Sequence, residues 1–122
     1  MKLRKKFKII CFDLDNVICF TSKKKNYKNS KLNIKVINFI NSLYYKRKFI
    51  IKIYTARGMS KFDGNIKKIK DAYKNLTIKQ LEKWGLRYDE LIFGKTSYDF
   101  FVDDKAVGFN KNWIQKLTKL LK

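Results

Sequence analysis

Hydrophobic and polar positions alternate along this chain between two periods. Residues 7–12, Phe-Lys-Ile-Ile-Cys-Phe, form a short apolar run that predicts a strand buried on both faces of a parallel sheet, and it ends in Asp13-Leu14-Asp15. After a polar stretch from Thr21 to Ser30, helical spacing takes over. Val36, Ile37, Phe39, Ile40, Leu43 and Tyr44 supply a broad apolar face, with Ser30 as the expected N-cap. Residues 49–55, Phe-Ile-Ile-Lys-Ile-Tyr-Thr, predict a second strand, followed by a loop marked by Gly58 and Gly64.

From Asn65 to Trp84 the spacing of Ile66, Ile69, Ala72 and Tyr73 predicts one or two helices, with a candidate break at Asn75-Leu76-Thr77 and Gly85 as C-cap. A strand is expected at Glu90–Phe93, and another at Tyr98–Val102 that again ends on acids. The last helix, Trp113–Leu121, carries its apolar residues on one stripe and is expected to pack on the sheet. Strands alternating with helices predict one three-layer, Rossmann-like α/β domain over residues 1–122, with a mainly parallel sheet. Such sheets bind ligands at the carboxyl ends of their strands, where both acid pairs fall.

Composition narrows the setting. No apolar run approaches the roughly 18 residues that span a bilayer, and residues 7–12 are too brief for a signal-peptide core. Cys11 and Cys19 have no metal spacing, so two free thiols and a cytoplasmic setting are expected. The 30 basic against 10 acidic residues give a charge of +20, which favours phosphates or nucleic acid. The lysines are scattered over every segment in a chain rich in Asn and Ile without Pro or His, as mutational bias toward AT-rich codons would produce. Charge therefore supports a phosphate ligand only weakly.

Chemistry lies at the strand ends. Asp13, Asp15, Asp103 and Asp104 in one crevice would repel one another unless a cation lay between them, and oxygen-only ligands favour Mg²⁺. Thr55 ends the second strand with a hydroxyl, and Lys95 follows the third with a mobile positive charge; both suit a phosphoryl group. A nucleophile, charge neutralisation and orientation are what phosphoryl transfer requires.

In this order, Phe12-Asp13-Leu14-Asp15-Asn16-Val17, Ile53-Tyr54-Thr55, Lys95 and Phe101-Val102-Asp103-Asp104 resemble the four motifs of the haloacid dehalogenase (HAD) superfamily. Thr55-Ala56-Arg57-Gly58, Gly64-Asn65 and the segment from Phe93 to Ala106 are similar to the small phosphatases of bacterial capsule and surface-polysaccharide synthesis. The resemblance implies Asp13 as nucleophile and metal ligand, and Asp15 as acid/base lending its carbonyl to Mg²⁺. It further implies Thr55 and Lys95 on the phosphoryl group, Arg57 on the substrate, and Asp103 and Asp104 completing the metal site. Asn16 stands where many relatives have Gly, and Asn tolerates positive φ. The chain lacks the insertions in which relatives carry cap domains, so a capless fold is expected. An open site suits a polymeric phosphate, or closure by an oligomeric neighbour; the favoured substrate is a small phosphate ester such as a sugar phosphate.

Competing readings draw on other residues. Gly94-Lys95-Thr96-Ser97 imitates a nucleotide P-loop, but Asp89 stands where its first glycine belongs. A receiver domain needs its lone phosphoacceptor Asp at a middle strand end, and the second strand here ends in Thr55. A nucleic-acid-binding module or polynucleotide phosphatase is fed by Arg4-Lys5-Lys6, Lys23-Lys24-Lys25 and 16% aromatic content. Lys23, Lys24 and Lys25 are expected to overhang the crevice and steer anions, against the plainer alternative of a solvated loop.

Overall fold

A computed structural model describes residues 7–122 of the chain. Five strands and three helices follow in the order β1 (Lys8–Asp13), β2 (Cys19–Phe20), β3 (Lys31–Leu32), α1 (Ile34–Tyr45), β4 (Phe49–Thr55), α2 (Ile66–Lys83), β5 (Glu90–Phe93) and α3 (Trp113–Leu121). The main sheet is parallel, in the order β1-β4-β5, with Asp13 opposite Tyr54 and Thr55 opposite Phe93. All three strands therefore end at one rim. Every β4 residue is buried or half-buried, as expected of a strand covered on both faces.

The core is aliphatic. Phe12, Leu14, Val36, Ile37, Ile40, Ile51, Ile53 and Leu81 belong to one buried cluster, so β1, α1, β4 and α2 share it. As expected, α3 packs on this cluster through Trp113, Leu117 and Leu121, with the Trp113 ring edge-on to Phe39 at 5.5 Å and to Phe12 at 6.4 Å. Among the described residues no helix is long and apolar enough to cross a membrane.

Three expectations change. The N-cap of α1 is Asn33, whose side chain accepts from the Val36 N–H at 3.4 Å. Ser30 instead lies in the connection between β2 and β3, a small antiparallel hairpin, where its hydroxyl meets that of Thr21 at 2.7 Å. Helix α2 runs unbroken past Asn75-Leu76-Thr77, because Thr77 and Gln80 extend the buried face begun by Ile69. It ends, as expected, at a left-handed Gly85 with φ 71°.

The third change is at Tyr98–Val102, where no strand forms. Tyr98 and Phe101 lie tilted against each other at 5.0 Å, and the Lys95 ammonium sits over their rings at 5.2 and 5.7 Å, so these aromatics face the cation and not a sheet neighbour. Phe100 and Val102 are left 91% and 98% exposed, and β1 remains an edge strand whose Ile9 is 59% exposed.

Gly58 combines a φ of +77° with a site where an added Cβ would lie 2.9 Å from the Tyr73 ring. A left-handed alanine costs about 1 kcal/mol before any clash, so Gly58→Ala should destabilise the protein by roughly 2 kcal/mol in urea unfolding. An unchanged midpoint would show that the loop can rearrange freely.

Candidate functional site

The rim is built by one tight turn and two loops. After β1, the Leu14 carbonyl accepts from the Ile18 N–H at 2.9 Å, with Asn16 at φ 66°, so Asn supplies the conformation expected of it. Leu14 is fully buried. Asp13 and Asp15, on either side of it, both remain half-buried at the rim.

Asp13 Oδ1 accepts from the Leu14 N–H at 2.8 Å, and Asp13 Oδ2 pairs with Lys95 Nζ at 3.3 Å. Lys95 is set at this distance by its backbone N–H, which donates to the Thr55 carbonyl at 3.1 Å. Burial raises the Asp13 pKa above the ordinary aspartate value, although Lys95 and the Leu14 N–H pull against it. For Lys95, burial pulls the pKa down, but hydrogen bonding to Tyr98 and the charge of Asp13 outweigh it, and the net direction is up. The ammonium stays charged at neutral pH.

Asp13 and Lys95 open onto a cavity of about 600 Å³. Its lining includes Lys25 from the β2–β3 connection, Ala56 and Ser60 from the loop after β4, and Ser97 and Asp99 from the loop after β5.

Asp15 belongs to a different environment. Its Oδ1 accepts from the Thr21 hydroxyl at 2.6 Å, and the Arg57 guanidinium grips it through Nε and Nη2, each at 3.0 Å. Arg57 is 1% exposed. Its Nη1 donates to Thr77 at 3.0 Å and to Gln80 at 2.6 Å, and the guanidinium lies over the Tyr27 ring at 4.8 Å. Arg57, expected on the substrate, does not line the cavity; its donors are committed to Asp15 and α2. Thr77, Gln80 and Tyr27 were not expected here. The readable signal was a pair of polar residues on the apolar face of α2.

Thr55 also departs from expectation. It is fully buried, its hydroxyl accepts the Arg57 N–H at 3.1 Å, and the cavity wall at this strand end is Ala56. The expected partnership of Asp103 and Asp104 with Asp13 and Asp15 is likewise not assembled. Both are exposed; Asp103 Oδ1 accepts the Lys105 N–H at 2.8 Å in a local turn. Among the described residues no group of three or more His, Cys, Asp or Glu is placed to hold a metal ion. The physical reason is the missing strand, whose end would have delivered these acids to the rim.

Of the expected basic flap, Lys25 reaches the cavity, donating to Ser60 Oγ at 3.4 Å, whereas Lys23 and Lys24 do not line it. Arg4-Lys5-Lys6 lie outside the described residues. Both thiols are free, as expected, and burial lifts Cys19 to about 11, so it is no nucleophile at neutral pH.

Fold and site together define a small α/β domain with a carboxylate and an ammonium facing a polar cavity at the carboxyl ends of parallel strands. A structural-genomics target from Vibrio cholerae shares this fold with a TM-score of 0.76 and 30% identity over 95% of this chain and 100% of that one, and the two proteins belong to one family. A chain in the structure of an RNA repair complex matches at a TM-score of 0.52 and 20% identity, over 96% of this chain and 32% of that one, a likeness of fold alone. No family model and no curated protein matches the sequence.

Proposed function

We propose that the protein is a phosphohydrolase of the HAD type, with the three-layer Rossmann-like fold of that superfamily, acting on a small phosphate monoester such as a sugar phosphate in the cytoplasm. The observation that carries this reading is the Asp13–Lys95 pair at 3.3 Å, open to a polar cavity. A carboxylate beside an ammonium can attack phosphorus while the cation holds the phosphoryl oxygens.

In the first step a bond forms between Asp13 Oδ and phosphorus as the ester P–O bond breaks, and the leaving oxygen takes a proton from Asp15. Water then attacks phosphorus, Asp15 takes its proton, and Asp13 is released. Arg57 and Thr21 hold Asp15 in place.

Mg²⁺ belongs to the proposal through donor chemistry: Asp13 offers hard oxygen ligands, and such an ion supplies charge neutralisation at phosphoryl oxygens. The donor set fits only in part, since Asp103 and Asp104 stand apart from Asp13. Release of phosphate from p-nitrophenyl phosphate should disappear in EDTA and return with Mg²⁺ but not Ca²⁺. Full activity in chelator would remove the metal from the account.

A further inference from the structure

We propose that Lys25 forms a second anion subsite in the cavity, selecting phosphate esters that carry another anionic group near the scissile phosphate. The inference rests on the phosphohydrolase reading and narrows its substrate class. Exposed lysines on loops are ordinarily solvated, and scattered lysines abound in this chain. Lys25 differs from Lys23 and Lys24 in being held at the site.

Its own backbone is left-handed at φ 56°, closed by its N–H to the Ser22 carbonyl at 2.9 Å. The connection that bears it is anchored at both ends. Thr21 bonds to Asp15 at 2.6 Å and to Ser30 at 2.7 Å, while Tyr27 is buried and its carbonyl accepts from Gln80 at 2.6 Å. From this fixed base the Lys25 ammonium reaches Ser60, whose hydroxyl meets that of Ser97 at 3.3 Å.

Two ammonium groups thus face one cavity for different purposes. Lys95 is paired with the carboxylate that attacks. Lys25 has no carboxylate partner among the described residues, so its charge, with the Ser60 and Ser97 hydroxyls beside it, is available to an anion. Asp99, the other acid lining the cavity, opposes such a ligand. Its position predicts that removing it strengthens the preference.

The second anion has two sources, a further phosphate on a small molecule or the phosphodiester next to a polymer end. The test compares kcat/KM for a hexose bisphosphate against a hexose monophosphate, and for a 5′-phosphorylated dinucleotide against a nucleoside 5′-monophosphate. An exposed charge pair is worth up to roughly fivefold, so Lys25→Gln should lower the ratio in the relevant arm about fivefold, and Asp99→Asn should raise it. Lys25→Arg should retain it, and the Lys23→Gln/Lys24→Gln double variant should match the parent. The arm whose ratio moves identifies the source. Turnover with both ratios unmoved by Lys25→Gln would overturn the subsite alone. A folded parent that releases phosphate from none of these esters would overturn the phosphohydrolase reading and the subsite with it.

Discussion

Replacing Asp13 with Asn should abolish phosphate release, by roughly a thousandfold or more, while leaving the protein folded. An amide cannot form the acyl-phosphate intermediate, and the adjacent carboxylate, Asp15, is held by Arg57 and Thr21. Stability should survive for an electrostatic reason. Burial raises the pKa of Asp13 in the folded state, so its ionisation costs the native state free energy as pH rises through that value, and at neutral pH a neutral Asn escapes the cost. The loss of the Lys95 partner works the other way. The urea midpoint of the variant should therefore lie near that of the parent.

The second large effect is structural. Arg57→Met should lower stability by about 3 kcal/mol, because it strips a buried cation from Asp15 and leaves Thr77 and Gln80 without their charged donor. The loss is small for a broken buried pair because the Asp15 side chain keeps 19% exposure and can recruit water. Stacking on Tyr27 is lost as well. Arg57→Lys preserves the charge but cannot reproduce the two-pronged contact with Asp15 or reach both helix residues, and an intermediate loss is expected. Chemical denaturation of the three proteins checks the order. A Met variant within about 0.5 kcal/mol of the parent would mean that the buried network contributes specificity of packing without net stability.

The strands that were legible in the sequence are those whose burial leaves no other use for the residues. Residues 7–12 and 49–55 are nearly continuous apolar runs, and the polar groups at their ends, Asp13 and Thr55, fall at one rim because the strands are parallel and in register. Residues 98–102 have equally strong β-forming composition, yet composition cannot say whether Tyr98 and Phe101 will join a sheet or cover a nearby cation. They cover Lys95. Asp103 and Asp104 go with them, which is why the four-acid cluster expected from strand ends does not assemble.

Arg57 illustrates the same limit. The family resemblance set Arg57 on the substrate, and nothing local in the sequence announces that Asp15, Thr77, Gln80 and Tyr27 converge on it from three other segments. In α2, Asn75-Leu76-Thr77 read as a candidate break, with no partner for the Thr77 hydroxyl visible in the local sequence. Given the guanidinium, the same hydroxyl becomes part of a continuous buried face. Lys25 was singled out only as one of three equal lysines, and the turn at Ser22 distinguishes it.

The central claim is that Asp13 itself is phosphorylated during turnover. Reacting the protein with a phosphate monoester, quenching during turnover and reducing with borohydride should convert Asp13 to homoserine in the peptide that contains it, because an acyl phosphate is reduced where a free carboxylate is not. Peptide mass spectrometry reads the change. The account predicts homoserine at position 13, dependent on substrate and absent from Asp13→Asn. Undiminished phosphate release by the purified Asp13→Asn protein, or trapped phosphoenzyme at a residue other than Asp13, would contradict it.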